Sequence, residues 1–600
     1  YYRMFIKLIY GIGLLFINDL INAQSRQQPS DWVDPFIGTS NKGNVHPGAV
    51  VPWGMVSVVP HTVNTPKGAY YYQYGDPFIY GFGHVQLNGV GCGEAGNIVL
   101  MPVADIGIAM DSSKRKSRYA EENASPGFYK CYLQKPKATV AATATIRSGR
   151  TRFTFHEKPG GIVLDLRMSK SRIKGGALEI LPDGSVQGYQ MAGGFCDMPL
   201  SRKVFFIIKP RGTTAKSKLF SKGKWINEKK ISGTNIGIFF PASDTTIEMA
   251  VGISFVSIAN AAENLEKEQQ NLSFEEIRKK AKEKWNNELS KVQVSTANDS
   301  ARIKFYSAYY RVLLSPSVIN DINGQYLSMQ TSAVQQRKVK QSNDPAYSVF
   351  SLWDTYRTVH PWLTLVHPQQ QNGMMNSMIH MFEEGGWLPK WELYGQESWV
   401  MVGDPAPIVI ADSYIKGIHK IDTAAFVRAI LKSGLQTHPQ NMLRPGNENY
   451  RKYGYVPIDK RGGNDSTKFT WTNGYVWGTV STTLEYQLSD YNIAQFLNEI
   501  GRKNQAKIFL DQSHKFHLSF DSSLKLFRPR LANGNWKSPF NPKARFFDIR
   551  WQGSGGHGYV EGDALAYRYF VPHGQHKLID LFGGPGPYID TLQRLFDDGH

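Results

Sequence analysis

Residues 551–574, WQGSGGHGYVEGDALAYRYFVPHG, set a single glutamate, Glu561, among aromatics, glycines and two histidines, His557 and His573. Two chemistries suit that carboxylate. Helical patterning begins near Glu561, so its charge in a first turn would offset the helix dipole. A carboxyl walled by apolar rings, or set beside a second carboxylate, instead keeps its proton near neutrality and can act as a general acid. Trp551 and Tyr559 are the candidate walls, and Gly553, Gly555, Gly556 and Gly558 permit tight turns and close approach of a ligand. The residues alone leave both readings open.

Three further stretches carry candidate groups. In SVFSLWDTYRTVHPW, residues 348–362, helical spacing puts Asp354, Arg357 and Thr358 on one face. Asp354 is then either half of a local ion pair or an acceptor for vicinal hydroxyls, with Trp353 beside it. Residues 385–417, GGWLPKWELYGQESWVMVGDPAPIVIADSYIKG, crowd Trp387, Trp391, Glu397, Trp399 and Asp404 into a loop: a ligand-facing wall, or a packed loop with solvated acids. In YGFGHVQLNGVGCGEAGNIVLMP, residues 80–102, His84, Gln86 and Asn88 alternate as on one face of a strand. They project toward a cleft or belong to a structural network. The glycines there follow neither nucleotide-binding spacing, and HExxH and GxSxG are absent. Two acids with opposed protonation roles remain the best chemical idea, which is what glycoside hydrolysis requires.

These groups need a frame, and 600 residues suffice for more than one domain. From 31 to 268 the segments alternate or are β-branched, with Gly, Pro, Asn and Asp between them, which predicts an N-terminal β-sandwich. Residues 269–297 predict a helical linker. There Ser273 and Glu276 form a capping box, Leu272 and Ile277 a staple, and Phe274, Ile277, Ala281 and Trp285 one stripe. Beyond 298 helices dominate, among them YVWGTVSTTLEYQLSD, YNIAQFLNEIG and ALAYRYFV, and their long aromatic loops suggest a helical toroid.

A 41% apolar and 20% charged composition is that of a globular chain, and 12% aromatics suit stacking on sugar faces. The formal charge is +19, but the basic residues are scattered and no nucleic-acid-binding motif appears, so no nucleic-acid partner is expected. Three cysteines, Cys92, Cys131 and Cys196, allow at most one pair and one thiol. KLIYGIGLLFINDLINAQ reads as an export signal ending near Ala23, despite Ile21 at the −3 position. Its apolar run is too short for a stable membrane span, and no lipid-anchor cysteine follows.

In order, VDPFIGTSNKGNVHPGAVVPWGMVSVVPHT, YGFGHVQLNGVGC, SPGFYKCYL, SLWDTYRTVHPW, GGWLPKWELYG, MVGDPAPIVIADSYIKG, STTLEYQLSDYNIAQF and GYVEGDALAYRYFVPHG resemble glycoside hydrolase family 92 from residue 33 onward. The resemblance implies a multidomain β + α fold: an N-terminal β-sandwich, a helical linker and an (α/α)6 barrel, here C-terminally incomplete, with the site between the domains. It implies calcium-dependent, inverting release of terminal α-linked mannose from mannose-containing glycans, namely N-glycans or mannans. An exported protein of the periplasm or cell surface of a Gram-negative bacterium follows.

By the same resemblance Glu561 is the general acid and Asp354 binds the −1 mannose. Trp353, His84, Gln86, Trp399, Glu397 and His557 are the further substrate-binding candidates. Gln86 stands where the family usually has a second histidine, and Cys92 matches a family cysteine. The family's later motifs, carrying the general-base aspartates and most calcium ligands, are expected past His600, and Asp597 and Asp598 read as ordinary helix-end acids. On that expectation the 600-residue chain alone is impaired. A noncatalytic mannoside-binding remnant and a mannosyl-phosphate hydrolase are the alternatives; linkage preference and oligomeric state are not readable.

Overall fold

The computed structural model describes residues 27–597 except 42, 64–69, 199, 214–215, 330–335, 339–344, 439–440, 460–475 and 544–557. The predicted export signal and His557 lie outside the described residues.

Alternation builds the first half. In Phe128–Leu133 and Ala138–Ala144 buried residues interchange with half-exposed ones, as a strand with one face on a core demands. Among the described residues such strands form two large antiparallel sheets, of eight and nine strands. The nine-stranded sheet runs from Lys230–Ser232 through Arg172–Ile180 and Thr246–Ser254 to Tyr119–Ser125; the other holds Ser57–His61, Leu100–Val103 and Ile236–Pro241. One apolar core lies between them. The Phe82 ring of the smaller sheet stands 6.2 Å from Tyr129 and 6.4 Å from Phe153 of the larger. Cys92 and Cys196 form a disulfide across 104 residues, and Cys131 is a buried free thiol.

Helices follow from Ile258 onward. Phe274–Leu289 carries the expected capping box and buries Phe274, Ile277, Ala281, Trp285 and Leu289. The Trp285 indole donates to the Val50 carbonyl at 2.7 Å, so the linker is bonded to the smaller sheet. The two segments read as separate helices around Asp490 and Tyr491 form one helix, Thr479–Glu499, because no Gly or Pro interrupts them. It is buried along most of its length and packs on Pro405–Ile415 and Lys503–Ser513.

One hairpin crosses between the halves. Trp391–Leu393 pairs with Gln396–Glu397 and with Phe350–Ser351. Its Trp391, Leu393 and Tyr394 side chains join the core of the sheets, not that of the helices. The Tyr394 ring stacks on Phe255 at 4.6 Å.

Glu392 of this hairpin is fully buried and accepts from the Ser348 hydroxyl at 2.8 Å and from the Val349 and Gly395 amides at 3.1 and 2.6 Å. Burial pushes its carboxyl from 4.5 up to about 8. The folded state therefore keeps a proton that the unfolded chain has released, so this contribution is full below about 4.5 and is lost as pH rises through about 8. Denaturant unfolding at several pH values should show the wild-type stability falling relative to Glu392→Gln from pH 5 to pH 8. Parallel curves would contradict the assignment.

Candidate active site

Asp354 follows the strand Phe350–Ser351 in a one-turn helix, Leu352–Thr355. Burial raises its carboxyl; the Ser351 hydroxyl, the Arg357 charge and the Trp391 side chain pull the other way. The local Asp354–Arg357 pair is not what forms. Arg357 donates to Glu485 Oε1 at 2.7 Å, and its guanidinium lies over the rings of Trp353, Tyr356 and Phe570 at 4.9, 4.6 and 5.0 Å.

Glu485, on the long helix and only 1% exposed, also accepts from the Trp353 indole and the Tyr356 hydroxyl, each at 3.0 Å. This carboxylate clamps the Asp354 turn to Thr479–Glu499, and the sequence reading passed over it. A signal was present: a Glu in mid-helix with Ser481 and Ser489, not Lys or Arg, four residues to either side.

Glu561 approaches from the far end of the chain. The Val560 amide donates to the Ser481 hydroxyl at 3.0 Å, and the Tyr567 hydroxyl donates to the Val560 carbonyl at 2.9 Å. Immediately after these two anchors, both on Val560, Glu561 adopts φ +49°, a left-handed conformation that costs a non-glycine residue on the order of 1–2 kcal/mol. The helix does not begin at Glu561. It begins at Ala564, and Asp563 caps it by accepting from the Leu565 and Ala566 amides at 3.0 and 2.9 Å. The helix-charge reading of Glu561 thus loses its basis, since Asp563 fills that role.

Glu561 is an exposed residue. Even so, partial burial raises its carboxyl, and the charge of Asp354 raises it further. A neighbouring carboxylate, and not a Tyr559 wall, is the second cause: Tyr559 turns inward and donates to the Phe527 carbonyl.

The remaining candidates separate. Trp353 is buried against Val402 and Val560. Trp399, at φ +56°, is half-buried where the sheet core meets the helical core. Glu397 does not face a ligand: its carboxylate accepts from the backbone amides of Lys390, Trp391 and Trp399 at 2.8, 3.0 and 2.8 Å, bracing the loop. His84 is likewise a core residue. Its ring lies under Gly149, where a Cβ would come within 2.7 Å, its Nδ1 is 2.7 Å from the Ile98 carbonyl, and burial holds it neutral with a pKa of about 4. The strand breaks at His84, so His84 and Gln86 do not belong to one continuous strand. Gln86 instead lies 2.9 Å from His61 Nε2.

Two buried cations were also missed. Lys390, next to Trp391, is lowered to about 8 by burial, against the charges of Glu397, Asp404 and Glu485. Arg444 donates to Asp404 at 2.7 Å and to Asp490 at 2.6 Å, joining three helical segments with no exposed surface.

Calcium requires several oxygen donors converging on one point. Among the described residues no group of three or more His, Cys, Asp or Glu side chains is so placed. These residues therefore do not fit such a site, and no step below passes through a metal.

Residues 32–254 match the family model of the glycosyl hydrolase family 92 N-terminal domain, and residues 260–600 that of the family 92 catalytic domain. An uncharacterized secreted glycosidase of Arthroderma benhamiae is 24% identical over 649 residues, covering 98% of this chain and 76% of its own. A family GH92 alpha-mannosidase from Bacteroides thetaiotaomicron is 28% identical with a TM-score of 0.84, over 95% of this chain and 74% of that one. The same enzyme in complex with mannoimidazole gives 27% and 0.85 over the same shares, 95% and 74%. A GH92 inverting mannosidase of the same organism, 23% identical over 96% of this chain and 75% of its own, shares the fold with a TM-score of 0.82.

Proposed function

The chain belongs to glycosyl hydrolase family 92, and from that premise we propose that it releases terminal α-linked mannose from N-glycans or mannans with inversion, Glu561 being the general acid. The observation that carries this reading is that Glu561 is pushed toward its protonated form, by partial burial first and by the nearby charge of Asp354 second. The likeness to alpha-mannosidases at 28% and 27% identity supports the substrate class. The helical half is read as part of an (α/α)6 barrel.

In this mechanism the Glu561 carboxyl gives its proton to the bridging oxygen as the bond to the anomeric carbon breaks. The leaving sugar departs as an alcohol. Water adds from the opposite face, and a base takes its proton. That base is assigned outside the described residues. Asp354, whose Oδ2 already accepts from Ser351, takes hydrogen bonds from mannose hydroxyls, and half-buried Trp399 offers a sugar-facing ring. Calcium dependence is carried by the family resemblance alone.

Export fits the Cys92–Cys196 disulfide, which persists in oxidising compartments. No helix among the described residues is long and apolar enough to cross a membrane. We assign the protein to the periplasm or cell surface.

The test is mannose release from α-1,2-, α-1,3-, α-1,4- and α-1,6-mannobiose by the full-length protein, with the first anomer read by NMR. β-Mannose should appear first. No release from any linkage, or α-mannose first, would overturn the reading.

Asp354→Asn supplies a second check. Removing the charge that raises Glu561 lets the acid deprotonate earlier, so the alkaline limb of kcat/KM should move to lower pH while KM rises. An unmoved limb would show that the two carboxylates do not communicate.

A further inference from the structure

A second cleft opens on the sheet half, of about 940 Å³, within the range of small-ligand sites and roomy enough for a disaccharide. Its lining includes His61, Lys170, Arg172, Lys174 and Asp197, together with the disulfide. Glycines keep it open: a Cβ on Gly91 would meet nothing within 4 Å, and one on Gly194 only the Arg172 Cβ at 4.0 Å.

The charges there do not cancel. Arg167, also on the wall, is committed to Asp165 at 2.8 Å. Arg172 is exposed and, among the described residues, has no ion-pair partner. Lys174, also exposed, donates to the Leu200 carbonyl at 3.0 Å and holds no carboxylate. Lys170 is buried, and its charge helps keep His61 neutral. Arg172 and Lys174 thus bring two exposed cationic groups to the space, against the single carboxylate of Asp197 on its wall.

A chain of contacts runs from this cleft toward Asp354. The turn Phe195–Asp197 lines the cleft with Cys196 and Asp197, while its Phe195 ring packs on Trp391 at 4.8 Å. The Trp391 side chain in turn helps hold down the Asp354 carboxyl.

We propose that this cleft is a subsite for an oxyanion, a phosphate ester or a uronate carboxylate, carried on the glycan beyond the bond that is cut. The proposal rests on the mannosidase reading only in making the occupant a sugar. A fork such as Arg172 takes a carboxylate or phosphate through two parallel hydrogen bonds, and Lys174 adds a point charge. The formal charge of +19 draws such a ligand in from a distance.

Calorimetric titration of the full-length protein with mannose 6-phosphate, glucuronic acid and mannose, at low and physiological salt, tests this. At least one charged sugar should bind about tenfold more tightly than mannose, as charge-assisted hydrogen bonds allow. The Arg172→Ala/Lys174→Ala double variant should lose that preference with an unchanged circular dichroism spectrum. Which charged sugar wins identifies the oxyanion. Equal affinity for charged and neutral sugars, or a preference that survives in the double variant, would overturn the proposal. The titration needs no turnover. An absence of mannose release therefore strikes the catalytic reading alone, and an absence of charge preference in an active enzyme strikes this one alone.

Discussion

Glu561→Gln is expected to lower kcat on unactivated mannobiosides by about a thousandfold, the middle of the range for a positioned general acid. The amide keeps the shape and loses the proton. An aryl mannoside whose leaving group departs without protonation should lose far less, so the ratio between the two substrates is the diagnostic quantity. The two anchors of the turn, Ser481 on the Val560 amide and Tyr567 on the Val560 carbonyl, do not involve the Glu561 side chain, so the variant should fold. Equal losses on both substrates would remove Glu561 from the acid role. Unchanged rates on both would remove it from the reaction altogether.

The largest loss of stability is expected from Glu485→Ala. Three donors converge on that carboxylate from one segment: the Trp353 indole, the Tyr356 hydroxyl and the Arg357 guanidinium. Arg357 is partly exposed and can turn to water, whereas Trp353 and Tyr356 are buried and cannot. Stranding two buried donors and unseating a guanidinium costs about 3 kcal/mol or more. Glu485→Gln leaves one acceptor oxygen in place and should fall between wild type and Ala. Turnover should drop in both variants, because the turn that carries Asp354 loses its tether. A denaturant midpoint for Glu485→Ala within about 0.5 kcal/mol of wild type would show that the clamp is not structural.

Local grammar made much of the frame legible. The capping box at Ser273 and Glu276 and the stripe through Trp285 could be read because each determinant lies within four residues of the next. The strand-rich first half and helical second half follow equally from period. What stayed hidden depends on partners far along the chain. Arg357 was offered Asp354 three residues away and took Glu485 instead, because burial of two aromatic donors drew a carboxylate there. Asp563 carried the better N-cap signal, yet Glu561 drew attention through its surroundings, and its left-handed backbone leaves no mark in composition. Glu397 looked like a free acid in a tryptophan-rich loop. Only the loop's closure shows that its oxygens are taken by three amides. Similarly, three cysteines permit three pairings, and spacing alone could not choose Cys92 with Cys196.

The hairpin around Trp391 ties the two halves to each other. It leaves the helical half, sinks Trp391, Leu393 and Tyr394 into the sheet core, and returns to brace Trp399. A swinging motion of one half against the other would have to drag three large side chains out of close packing, so the halves do not work as jaws about a hinge. Any ligand of this frame must therefore come and go while the two halves stay locked together.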